Sequence, residues 1–239
     1  MLTMRESMNT SNTSKVENQR PGEFLKKLAP AALRDLESME FPTLYQPGQL
    51  LFSEKATPSG IFIVVSGEVK LSINSSDGKR LILSIAKAGE VLGLSSVLSG
   101  LPSEMTAEIL YPSRIAVIER DQFLGFMARH PEVYQVVTQE LSLQYKIACE
   151  QLRTVALSGS APEKLARLLL DWSENGQKTE SGMRFRFSLT HEEIGEFIGA
   201  SRETVTRTLS TFKTRHLVAF HGSILEIPSK VALQHIAGM

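Results

Sequence analysis

The chain has 239 residues, 42% of them hydrophobic, and its 26 basic side chains balance 26 acidic ones. That length has room for two modest domains, and a formal net charge of zero argues against a protein that coats nucleic acid without regard to sequence. No apolar run of about 18 residues offers a membrane span, no N-terminal apolar core suggests a signal peptide, and the lone Cys149 excludes an intramolecular disulfide or, by itself, an iron–sulfur cluster, so a cytoplasmic protein is the expectation.

In chain order, residues 1–21 are polar and rich in Ser, Thr and Asn, which predicts a disordered tail; Met1, Met4 and Met8 each offer a translation start. Residues 24–36 carry Leu25, Leu28, Leu33 and Leu36 in a short amphipathic stretch interrupted at Pro30. From residue 41 to about residue 120 the texture changes to short apolar runs separated by glycines. Residues 61–65, 69–73 and 81–85 read as strands, and Asn74-Ser-Ser-Asp-Gly78 as a hairpin turn between two of them. Regular short strands with glycine corners predict a barrel or jelly roll, in a domain covering residues 22–130.

Pro131 opens a stretch, 132–157, with no internal Gly or Pro. Tyr134, Val137, Leu141, Tyr145, Ala148, Leu152 and Val155 recur there at three- and four-residue steps, a narrow seam that fits a two-stranded coiled coil. The alternative is a helix packed on its own β domain. Residues 158–162, with Gly159 and Pro162, read as a hinge before a C-terminal domain of residues 163–239. That domain opens with a helix over 163–172 burying Leu165, Leu168 and Leu169, then a polar loop at 175–183 and a strand at 184–189. Its end reads as a small hairpin around His221-Gly222 and a short helix at 231–236.

The most informative stretch is 189–217. Thr190 and Glu193 form a T-x-x-E capping box, and Ile194, Phe197 and Ile198 give one apolar helix face. Gly199 ends that helix and Ser201 caps the next, whose buried face is Val205, Leu209 and Phe212. Arg202, Glu203, Thr206 and Arg207 fall mostly on the opposite face. This is the layout of a helix-turn-helix, whose second helix enters the DNA major groove. Arginine can pair with guanine O6 and N7, and glutamate can accept from the cytosine amino group. The plain alternative is a solvated helix face with a few charges. Four basic residues (Arg202, Arg207, Lys213, Arg215) against one acid (Glu203) make this segment locally basic on a neutral molecule.

The residues Ile194-Gly195, Gly199, Ser201-Arg202-Glu203-Thr204-Val205, Arg207 and His221-Gly222 resemble the DNA-binding domain of the cyclic-AMP receptor protein/FNR (Crp/Fnr) family of bacterial transcription regulators. Tyr45-x-x-Gly48, Ile61-Phe-x-Val64, Gly67-x-Val69 and Gly89-Glu90-x-x-Gly93 resemble the cyclic-nucleotide-binding β-roll of the same family. The resemblance implies an α+β protein: an N-terminal jelly-roll sensor, a long dimerisation helix and a C-terminal winged helix-turn-helix. It places the DNA-reading Arg, Glu and Arg on Arg202, Glu203 and Arg207, and a phosphate contact on Thr190. The family's backbone-contacting lysine falls on Ser210, a departure with Lys213 and Arg215 nearby. It further implies a homodimer on duplex DNA, with TGTGA-like half-sites about 34–36 Å apart, and RNA polymerase as partner, through a loop corresponding to residues 175–183.

Effector candidates follow from the same resemblance: Gly89, Glu90 and Gly93, with the family's phosphate-binding Arg-Ser pair falling on Ser103-Glu104, just before Thr106. No arginine or lysine occurs from Val91 through Ser113. A buried phosphate needs a cation or several donors, so weak or no cyclic AMP binding is expected, and Glu90 reads better as a turn-stabilising carboxylate than as a ribose contact. The family's adenine-contacting hydroxyls fall near Cys149-Glu150, also a departure. The five histidines, His130, His191, His216, His221 and His235, leave none before residue 130 for a haem, and one cysteine does not make an oxygen-sensing cluster. No cofactor or metal is therefore expected, and Cys149 reads as packing, with a thiol switch as the alternative. An enzyme is excluded for want of a nucleophile motif or zinc spacing. The remaining rival is a cyclic-nucleotide-binding module acting through a protein partner, which would not need the Arg202/Glu203/Arg207 face.

Overall fold

The computed structural model describes residues 24–39, 41–157, 159–174, 176–187 and 189–239. The expected tail at 1–21, Ser158 of the hinge and Asn175 lie outside them.

A 3-10 turn (Leu25–Lys27) leads into α1 (Pro30–Met39). Pro30 starts this helix and does not merely interrupt a pattern, since the first helical position has no hydrogen bond to lose. Eight strands follow: β1 (Thr43–Tyr45), β2 (Leu50–Phe52), β3 (Gly60–Ser66), β4 (Glu68–Asn74), β5 (Arg80–Lys87) and β6 (Val91–Leu92), then, after α2 (Leu94–Ser99), β7 (Thr106–Ile109) and β8 (Ser113–Glu119). They form two antiparallel sheets in the orders β1-β8-β3-β6 and β2-β7-β4-β5. Strand β3 shows why the pattern reads as a continuous apolar run. Its residues point alternately to opposite faces, and both are covered. Phe62 and Val64 pack inside the roll with Val69, Leu92 and Ile115. Ile61 and Ile63 pack outward under a helical layer that brings Phe24, Leu36, Phe123 and Phe126. The β3–β4 corner needs Gly67, which holds φ +95° where an added Cβ would overlap Ser113.

The helical layer is completed by α3 (Arg120–Arg129) and α4 (Val133–Leu157). Helix α4 has two apolar faces. Tyr134, Tyr145 and Leu152 are 52%, 73% and 63% exposed, with Ala148 exposed and Leu141 half-buried between them. Val137 is not on that stripe. It is 2% exposed and belongs to the roll's helical core with Val133, so its place in the expected seam is corrected. Val155 is half-buried and turns toward Gly199.

Helix α5 (Ala161–Ser173) starts two residues before the expected helix. Ser160 caps it, the Glu163 carboxylate accepts the Ser160 backbone N–H at 2.6 Å, and this capping box converts the end of the expected hinge into helix. The expected polar loop is a hairpin, β9 (Gln177–Thr179) and β10 (Gly182–Arg186), with Thr179 opposite Gly182. Strand β9 is an edge strand, which tolerates exposed polar side chains and so hides its pattern. Then come α6 (His191–Ile198), α7 (Arg202–Thr214), β11 (Ala219–His221), β12 (Ile224–Ile227) and α8 (Lys230–Ala237). The C-terminal sheet runs β11-β12-β10-β9, and Leu165, Leu169, Ile198, Val205, Phe212 and Leu225 share one core. No described helix is long and apolar enough to cross a membrane.

Candidate DNA-reading face and effector cavity

The reading head is built by local signals. Thr190 accepts the Glu193 backbone N–H through its hydroxyl, and the Glu193 carboxylate accepts the Thr190 N–H at 3.0 Å, which fixes the start of α6. Gly199 stops it in the left-handed region at φ +65°. Ser201 caps α7, and Val205, Leu209 and Phe212 sink into the core at 0–2% exposure. That burial forces Arg202, Glu203, Thr206 and Arg207 outward, and all four are exposed, as are Thr190 and Ser201. Its own backbone N–H, then the Ser201 hydroxyl, hold the Glu203 carboxyl below the usual carboxylate range, so it stands as an acceptor. One neighbour escaped the sequence reading. The His191 ring, at the start of α6, lies 2.8 Å from the Thr206 hydroxyl on α7. Lys213 is drawn aside, its ammonium 4.6 Å from the Phe220 ring of the wing.

The C-terminal domain is docked on the outer face of the β2-β7-β4-β5 sheet. Lys70 on β4, 4% exposed, reaches Glu193 on α6 at 3.0 Å and Glu108 on β7 at 3.4 Å. Burial pushes the Glu193 carboxyl up, but the Thr190 backbone and the Lys70 ammonium outweigh it and hold the group below its ordinary value. Gln151 on α4 donates to the Ile82 carbonyl of the roll at 2.8 Å and to the Phe197 carbonyl of α6 at 2.6 Å. Lys87 sits over the Trp172 ring and Arg186 over the Tyr111 ring, each a cross-domain cation–aromatic contact.

Inside the roll is a cavity of about 80 Å³, walled by Phe52, Leu71, Leu92 and Met105, with Ile147 and Ala148 of α4. It brings together Glu90, Gly93, Ser103 and Glu104 of the expected site, while Gly89 and Thr106 do not line it. Thr106 instead accepts the Glu54 N–H at 3.0 Å. Ser103 is buried and donates to the Met105 carbonyl, and Glu104 accepts from Ser95 at 2.6 Å. Glu90 accepts the Lys87 N–H at 3.0 Å, closing the turn in which Gly89 takes φ +90°. Burial pushes its carboxyl up to about 7. The lining contains two carboxylates and no Lys, Arg or His.

A second cleft, about 380 Å³ and announced by no sequence motif, lies where the roll, α4 and the C-terminal domain meet. Lys87, Glu90, Glu150, Asp171 and Trp172 line it. Burial, then Glu174 and Glu150, push the Asp171 carboxyl up to about 6.

Residues 42–130 match the family model of the cyclic nucleotide-binding domain, and residues 163–236 that of the Crp-like helix-turn-helix domain. The chain is 26% identical over 194 residues to a CRP-like cAMP-activated global transcriptional regulator of Mycobacterium tuberculosis, covering 81% of this chain and 86% of that protein. It is 25% identical over 194 residues to the fumarate and nitrate reduction regulatory protein of Yersinia pestis, covering 81% and 77%. Among solved structures, FixK2 from Bradyrhizobium japonicum shares the fold at a TM-score of 0.73 and 20% identity, covering 82% of this chain and 96% of that one.

Proposed function

The chain belongs to the Crp/Fnr family of transcription regulators, and we propose that it works as a homodimer whose paired α7 helices read two-fold related, TGTGA-like half-sites in duplex DNA under an effector other than cyclic AMP. The observation that carries the DNA reading is the joint exposure of Arg202, Glu203 and Arg207 on the first two turns of a helix whose opposite face is locked in the core. In this reading the arginines face guanines and Glu203 faces a cytosine. A mobility shift with an inverted TGTGA repeat against a scrambled duplex tests it. Preference for the repeat, with affinity falling steeply as salt rises, is the expected result; equal affinity for both duplexes counts against it.

The homodimer is supported by the exposed Tyr134, Tyr145 and Leu152 on α4, a stripe that one chain leaves uncovered. One short reading helix also offers few base contacts, which pairing doubles. Exclusion of cyclic AMP is supported by the lining of the roll's cavity. Glu104 stands where the resemblance places the cyclic phosphate, and the lining has no cation to offset the phosphate's lost hydration. Calorimetry giving micromolar affinity for cyclic AMP would overturn that exclusion. An effector acts here only by binding the DNA-competent and incompetent arrangements differently, and the docked face around Lys70 and Gln151 is where those arrangements differ in this reading. RNA polymerase is the proposed protein partner, through the β9–β10 hairpin, and the cytoplasm the proposed compartment.

A further inference from the structure

His191 follows the Thr190 cap directly, and its Nδ1 lies 2.8 Å from the Thr206 hydroxyl oxygen on α7. Both residues are exposed. A threonine hydroxyl has one proton to donate. Thr206 donates it to the Arg202 carbonyl, one turn back, at 2.9 Å. Toward His191 the same oxygen is therefore an acceptor, and Nδ1 is the donor. This places the proton of a neutral imidazole on Nδ1 and leaves a bare lone pair on Nε2.

Thr206 belongs to the exposed face of α7 that carries Arg202 and Arg207, so the imidazole stands at the rim of the reading head. When a helix occupies the major groove, the phosphate backbone runs along its flanks. A lone pair on Nε2 repels a phosphate oxygen, whereas protonated Nε2 donates a charge-assisted hydrogen bond to it. The Nδ1–H bond to Thr206 survives in both forms. Glu192 follows it on α6, and Arg202 and Arg207 lie within about one turn of Thr206 on α7. The next acid, Glu193, is taken up by the Thr190 cap and by Lys70 of the roll.

We propose that His191 is a DNA-phosphate contact that engages only when doubly protonated, so that each half of the dimer takes up a proton on binding DNA. This rests on the DNA-reading function proposed above. Because the complex holds the proton more tightly than the free protein does, affinity rises as pH falls. The gain is lost as pH rises through the value at which the bound imidazolium deprotonates.

The test uses the full chain and the duplex that it enriches from a randomised pool, with affinity measured at fixed salt between about pH 6 and about pH 8, where histidine changes charge. The wild type is expected to bind about tenfold tighter at the acid end. His191→Asn, whose amide donates to Thr206 as Nδ1 does but never titrates, should lose most of that dependence and match the wild type at the alkaline end. His191→Arg, a permanent cation, should bind tightly throughout. Every other group is common to the three proteins, so the comparison isolates His191. A flat wild-type profile, or the wild-type profile retained in His191→Asn, overturns the proposal. Should His191→Asn fail to fold, an unchanged pH dependence in His191→Arg does the same. If no duplex is enriched at all, the DNA-reading function itself fails, an outcome distinct from a sequence-specific binder with an indifferent histidine.

Discussion

The Lys70 ammonium lies 3.0 Å from the Glu193 carboxylate, joining the β2-β7-β4-β5 sheet of the sensor to the first turn of the helix-turn-helix. Glu193 thereby does two things: it closes the capping box of α6 and neutralises a buried cation 123 positions away. Glu193→Ala is expected to cost about 2–4 kcal/mol, since it removes a cap and leaves Lys70 with Glu108 alone. Lys70→Met should cost roughly half as much, because Glu193 keeps its cap, Glu108 keeps Arg80 at 3.3 Å, and the methionine fills the space. Urea unfolding of the two variants checks the order, and the reverse order contradicts the double role.

Ionisation of Glu90 works against the fold. Burial raises its folded-state value to about 7 from an ordinary 4.5. The stability associated with its neutral form is fully present below the unfolded value and is lost as pH rises through the folded one. Glu90→Gln is therefore expected to stabilise the protein by about 1–3 kcal/mol at alkaline pH and to change little in acid. Asp171→Asn should act in the same direction and to a similar extent, its carboxyl being raised from 3.8 to about 6. Thermal melts across the pH range provide the readout.

The two faces of α4 separate by mutation. Leu152→Glu places a charge on the exposed stripe and should yield a folded chain whose dimer dissociates at least about tenfold more readily, seen by sedimentation. Val137→Glu buries an unpaired carboxyl in the roll's helical core and should destabilise the fold itself by about 3 kcal/mol or more. If Leu152→Glu leaves the oligomeric state unchanged, the outer stripe is not the seam.

How much of this was legible in the sequence follows from how local each signal is. The α6–turn–α7 unit was readable because Thr190, Glu193, Gly199 and Ser201 are close in sequence and each has one structural job. The capping box at Ser160 and Glu163 was equally local, but the glycine and proline around it suggested a linker. Val137 was misplaced because α4 is apolar on two faces, and spacing alone does not say which face meets the roll. Strand β9 is an edge strand with polar residues, so it carries little periodic signal. The Lys70–Glu193 pair joins residues 123 positions apart and the His191–Thr206 pair joins two different helices, and nothing in either neighbourhood announces its partner.

The central claim is that the exposed face of α7 reads base edges, and it is tested most directly by selecting duplexes from a randomised pool with the wild type and with Arg207→Ala. The wild type should enrich an inverted repeat with half-sites about 34–36 Å apart. Arg207→Ala should lose about 1–3 kcal/mol of affinity and relax the preference at one position of each half-site. An Arg207→Ala protein that enriches the same repeat with undiminished affinity would contradict the account.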